Sequence, residues 1–186
     1  MDILEFTKKA VESYVKTGEV ISPDKELDKE FLTRKAGVFV TILKDGNLRG
    51  CIGTCLPTKK NIAEEIISSA VAAASQDYRF GPIKKEELSR LSCEVYVLDE
   101  PEPIKDIKEL NPKKFGIVVK SVPLSIPTGI DVVFSGHPRL KSGLLLPDLE
   151  GVDTIEQQIS IACQKAGINP LKEKITVYRF SAKKYR

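Results

Sequence analysis

The 186-residue sequence has no tryptophan, a single histidine and no apolar run approaching the roughly 20 residues of a membrane span. His137 and four scattered cysteines, Cys51, Cys55, Cys93 and Cys163, do not make the two spaced ligand pairs of a zinc site, so neither metal nor cofactor is expected. Met1 to Val15 carries Asp2, Glu5, Lys8, Lys9 and Glu12, which leaves no apolar signal region. A cytoplasmic protein with reduced cysteines and no membrane contact is the expectation. Basic residues are not massed either: 29 lysines and arginines face 26 acids, for a net charge of +3 with the signs mixed. RNA binding would need a basic face that this count does not supply, and Lys183-Lys184-Tyr185-Arg186 reads as a solvated end. There is no internal repeat and no low-complexity segment.

What remains is an ordinary globular composition, 41% hydrophobic and 30% charged, sized for one domain with a smaller appended lobe. Asp2 and Glu5 form a capping-box start to an amphipathic helix that Gly18 would stop, after which Ser22-Pro23-Asp24 opens an irregular connection toward Phe31 and Leu32. Gly37 to Leu43 is rich in branched residues, and Asp45-Gly46 turns it into a second strand beginning at Leu48. Pro57-Thr58 introduces a long helix ending near Gln76, whose Ala70, Ala72, Ala73, Ala74 and Ser75 permit close approach to a sheet. Strands are expected over Ser92 to Leu98, Phe115 to Lys120, Ile130 to Phe134, Gly143 to Pro147 and Ile175 to Phe180. Thr154 and Gln157 cap a last helix that Gly167-Ile168 would close.

One stretch concentrates chemistry: Leu48-Arg49-Gly50-Cys51-Ile52-Gly53-Thr54, where a charge, a thiol and two glycines fall within seven residues. On a strand, Arg49 and Cys51 project from the same face. A cation there lowers a thiol's pKa and makes it a nucleophile, while Gly50 and Gly53 would let a ligand approach the backbone. The same amides, with Thr54 next to them and the long helix ahead, could bind a carboxylate or phosphate. The alternative is a packed strand cysteine beside Ile52. Cys93 and Cys163 fall on core-facing periodicities and read as inert. Asp77 and Arg79, flanking Tyr78 at the helix end, read either as an ion pair within the loop or as an anion-recognising fork with its orienting carboxylate. His137, in a Gly136-His137-Pro138 turn, reads as a surface histidine, with proton transfer as its alternative. Lys141-Ser142 would form an opposite rim.

Leu48-Arg49-Gly50-Cys51-Ile52-Gly53 resembles the signature of the AMMECR domain family. Asp77-x-Arg79-Phe80-x-Pro82, the strand from Cys93 with Pro101 and Pro103, Ser142-Gly143-Leu144-Leu145-Leu146-Pro147 and Lys165-Ala166-Gly167 follow in family order, from about Phe39 to Phe180. The resemblance implies an α+β fold, with a larger mixed sheet packed with helices and a smaller antiparallel β lobe within about 115–147, the cysteine motif lying beside the cleft between them. It also implies partners: Memo-like and radical S-adenosylmethionine proteins of the AmmeMemoRadiSam system. Two departures stand out. Residues 122–141, including His137, replace a short hairpin and would enlarge the lobe, and Asp148 to Asp153 replaces a segment that carries tryptophan in archaeal members. The reading is a thiol-dependent enzyme acting on a small anionic substrate, with Cys51 as nucleophile or redox thiol, Arg49 as its cation, Arg79 as the substrate's anchor, and Asp77 orienting Arg49 or Arg79. The alternative is a non-catalytic ligand- or protein-binding module.

Overall fold

Asp2 and Glu5 do form a capping box in the computed structural model, which describes residues 1–123 and 141–186. Helix α1 (Ile3–Thr17) follows, burying Ile3, Phe6, Ala10 and Val11, and Gly18 stops it in the left-handed conformation at φ +78°. A second helix, α2 (Lys29–Thr33), occupies the stretch read as irregular; Asp28 caps it and Phe31 is its buried residue. Five residues are too few to display a helical period, which is why the pattern did not declare it.

Strands β1 (Gly37–Lys44) and β2 (Asn47–Gly53) pair antiparallel around Asp45 and Gly46, both at positive φ, so the expected hairpin is present. Helix α3 (Ile62–Ser75) ends at Gln76 as expected but starts about four residues after Thr58, because Asn61 is its cap and the preceding amides are bonded elsewhere. A 3-10 turn (Lys85–Arg90) leads into β3 (Leu91–Leu98), which pairs antiparallel with β1. The last strand, β8 (Ala182–Tyr185), joins β3, giving the order β2-β1-β3-β8. The tail is therefore a sheet edge and not a solvated end: Lys184 pairs with Glu94 at 3.0 Å and the Tyr185 ring meets Phe31 edge-on at 5.8 Å. Residues Met1–Glu100 and Lys183–Arg186 make one unit, its core formed where α1 and α3 cover Val38, Val40, Ile42, Val95 and Val97.

The second unit, Pro101–Ala182, contains β4 (Glu102–Pro103), β5 (Gly116–Pro123), β6 (Lys141–Leu145), helix α4 (Ile155–Ala166) and β7 (Glu173–Phe180), with sheet order β4-β7-β5-β6. Elements outside 115–147, namely β4, α4 and β7, thus belong to the same unit as the expected small lobe. Thr154 and Gln157 cap α4 reciprocally, Gly167 ends it at φ +62°, and Ala162 and Cys163 pack on Ile117, Val119 and Leu145. The class is α+β. Every strand pair with a described register runs antiparallel, in the first sheet as in the second. The strand expected over Ile130 to Phe134 and His137 lie outside the described residues.

Candidate functional site

The β1–β2 register places Cys51 directly opposite Thr41, and Gly50 opposite Ile42. Gly50 faces α3: a Cβ there would stand 2.3 Å from the Ala73 carbonyl oxygen, so the glycine admits the alanine-rich helix and not a ligand. Gly53 is closed in the same way, its Cβ position lying 2.2 Å from the Val38 carbonyl. The register slips between Ile42 and Leu43, pairing Ile42 with Gly50 and Leu43 with Leu48, so Arg49 falls in a bulge where period two does not hold.

Cys51 is half-buried, and its Sγ accepts from the Thr41 hydroxyl at 3.3 Å. Its backbone is held at the sheet edge by side chains: the Cys51 amide donates to Asp77 Oδ2 at 2.9 Å, and Arg79 Nη2 donates to the Cys51 carbonyl at 3.3 Å. Asp77 is buried, 4% exposed, and grips Arg79 through Nε at 2.9 Å and Nη2 at 2.7 Å. Hydrogen bonds from the Arg79 guanidinium, and then from the Cys51 and Arg79 amides, hold the Asp77 carboxyl down at about 2. In turn Asp77, and more weakly the thiolate form of Cys51, push Arg79 above its ordinary value. Of the two arginines, Arg79 is the one that bonds the Cys51 backbone. Its guanidinium also stacks on Phe80 at 5.3 Å, and Nη1 has no hydrogen bond among the described residues.

Arg49 is committed elsewhere. Nε and Nη2 meet Glu87 in a two-pronged pair at 2.9 Å each, and Nη1 and Nη2 donate to the carbonyls of Gly81 and Pro82 at 3.0 and 3.1 Å. Glu87, held far below the carboxylate range chiefly by Arg49, also takes Lys44 at 2.9 Å. The charge assigned to the thiol from sequence is thus neutralised by an acid that the sequence reading passed over inside a polar segment.

The anion expected ahead of the long helix is supplied by the chain itself. Glu65, 1% exposed on α3, accepts from the Thr58 and Lys59 amides at 2.7 and 2.8 Å and from the Thr54 and Thr58 hydroxyls at 2.9 Å each. Thr54 is accordingly a structural donor. The signal for Glu65 was an acid set between Ile62 and Ile66 on an apolar stripe. Ser142 lies exposed on β6 opposite Lys120, in the other unit. Burial pushes the Cys93 thiol up to about 11 and raises that of Cys163, in keeping with inert core positions.

The AMMECR1 family model matches residues 4–185. The chain belongs to the AMMECR1 family. A Thermotoga maritima protein is 46% identical over 179 residues, 96% of this chain and 93% of its own length. A Clostridium acetobutylicum protein is 40% identical over 98% of this chain, which spans only 35% of that longer protein. The crystal structure of an uncharacterised Pyrococcus horikoshii protein superposes with a TM-score of 0.79 at 34% identity, over 97% of this chain and 87% of that one. In this AMMECR1 chain, then, Cys51, Thr41, Asp77 and Arg79 form one group, and Arg49 joins Glu87 and Lys44 in a second group two residues along β2. No helix among the described residues is long and apolar enough to cross a membrane.

Proposed function

We propose that the AMMECR1 chain carries a thiol site in which Cys51 Sγ is the reacting atom and the substrate is a small anion. One observation carries the reading: the Cys51 sulfur receives a hydroxyl from Thr41 while the Arg79 guanidinium, gripped by Asp77, bonds the carbonyl of the same cysteine. A fixed cation beside a thiol is the kind of group that favours the thiolate. With Nε and Nη2 anchored on Asp77, the Arg79 guanidinium is fixed in direction and offers Nη1 to a carboxylate or phosphate. The sulfur gives up its proton to solvent and acts as the electron-pair donor, as nucleophile or redox thiol.

The pH dependence of Cys51 alkylation by iodoacetamide, read by peptide mass spectrometry in the folded protein, tests this. Arg79→Ala should raise the midpoint by roughly half a unit to one unit, the size expected of one partly solvated cation, and Thr41→Val should move it the same way. A Cys51 that stays unreactive until unfolding, or a midpoint indifferent to Arg79, overturns the reading.

A second reading is favoured by the same turn. Tyr78 is 94% exposed and Phe80 39%, aromatics flanking an arginine as in many interface cores. A Memo-like or radical S-adenosylmethionine protein would then cover the turn. Tyr78→Ser would weaken its capture without moving the alkylation midpoint.

A further inference from the structure

Arg49 touches neither the sulfur nor Arg79, yet the segment it binds is the one that carries Arg79. The chain from Asp77 to Pro82 is a tight turn: the Phe80 and Gly81 amides both donate to the Asp77 carbonyl at 3.1 Å, Gly81 sits at φ +69°, and Ile83 is tied back to Ala74 at 2.8 Å. This turn meets β2 at two points. At Cys51 the contact is made by the turn's own Asp77 and Arg79 side chains. At Arg49 it is made by the strand's guanidinium, which reaches the Gly81 and Pro82 carbonyls. Glu87 braces that guanidinium from the neighbouring 3-10 turn and accepts the Lys84 amide at 3.0 Å, so the middle of the 77–87 segment, at Gly81 and Pro82, and its far end, at Glu87, converge on one arginine that is only 14% exposed. Two contacts on one strand constrain the turn's orientation as well as its distance, in addition to the tie from Ile83 back to Ala74.

We propose that Arg49 is a positioning residue of the thiol site, acting on Cys51 only by holding the 77–82 turn so that Arg79 stays on the Cys51 carbonyl beside the thiol. The proposal rests on the thiol reading above. It separates two roles for an arginine two residues from a cysteine: a charge felt directly by the thiolate, and a fork that sets the place of another charge. Lysine keeps the first role and cannot perform the second, since one ammonium does not span a carboxylate and two carbonyls in the guanidinium's plane.

The experiment is a double-mutant cycle on the pH midpoint of Cys51 alkylation, using Arg49→Lys, Arg79→Ala and the pair, with thermal melting of each variant alongside. A positioning role predicts that Arg49→Lys raises the midpoint by at least half of the Arg79→Ala shift, and that it adds nothing in the Arg79→Ala background. Glu87→Gln, which keeps Arg49 and its charge but weakens its brace, serves if Arg49→Lys does not fold, and should raise the midpoint in the same direction. If Arg79→Ala shifts the midpoint while Arg49→Lys behaves as wild type, the proposal fails and the thiol reading stands. If the Arg49→Lys shift persists without Arg79, Arg49 acts directly and the proposal also fails. If Arg79→Ala shifts nothing, both fall together.

Discussion

Asp77 is the residue on which the candidate site turns, because one buried carboxylate holds the Cys51 amide, the Arg79 amide and the Arg79 guanidinium at once. A buried acid is costly unless its lone pairs are filled, and here the filling groups are those that place the thiol and its cation. The consequence shows in stability against pH. The folded carboxyl sits at about 2, below its value in an unfolded chain, so the stabilisation is fully present above pH 4 and is lost as pH falls through about 2. A shift of that size corresponds to about 2 kcal/mol. In urea denaturation, Asp77→Asn should be less stable than wild type by about that amount at pH 6, and the gap should narrow steadily between pH 4 and pH 2. A gap that stays constant over this window would mean that the charge of Asp77 does not hold the turn.

On each sheet one helix approaches over a glycine in a strand. Gly50 on β2 lies under the Ala73 carbonyl of α3, and Gly143 on β6 lies under the Ala162 carbonyl of α4, where a Cβ would stand only 2.0 Å away. In both cases the obstacle is backbone, which cannot rotate aside, so the helix would have to lift. Gly50→Ala is expected to cost about 1–3 kcal/mol or more in urea denaturation. Gly46→Ala, at φ +81° with open space around it, should show only the smaller backbone penalty of about 1 kcal/mol. Equal losses at the two positions would contradict the close approach. Half of this contact was legible in the sequence: the small residues from Ala70 to Ser75 announce a helix lying close to a sheet, but a glycine beside a cysteine reads equally well as room for a ligand. The hairpin, the caps at Asp2 and Thr154 and the stop at Gly167 were readable because local chemistry decides them. The partner of Arg49 was not, since Glu87 lies 38 positions away and only the path of the chain beyond α3 brings it near. Spacing along β2 predicts one face for Arg49 and Cys51, but a bulge falls at Arg49, and spacing could not reveal which charge was already taken.

The first unit is discontinuous in sequence: the chain leaves it at Glu100 and returns at Lys183, so four residues at the far end complete a sheet begun at Gly37. What holds them is specific. Lys184 pairs with Glu94 and lies over the Tyr96 ring at 5.2 Å, while Tyr185 crosses to the helical side and packs on Phe31 of α2. The exposed ion pair contributes little, so the aromatic contact and the burial of Tyr185 carry most of the attachment. A chain ending after Ala182 should therefore lose about 2 kcal/mol of stability. The loss should be local as well as global: in hydrogen exchange, β3 becomes an edge and its amides facing β8 lose protection, and α2, deprived of the ring against Phe31, opens more readily. Tyr185→Ala in the full chain tests the division of labour, because it keeps the strand and the ion pair and removes the ring. It should reproduce most of the stability loss and the opening of α2 while leaving the β3 amides protected. If truncation leaves both α2 and β3 unchanged, the tail does not pair with the sheet, and the basic residues at its end revert to the solvated role that their charge alone suggests.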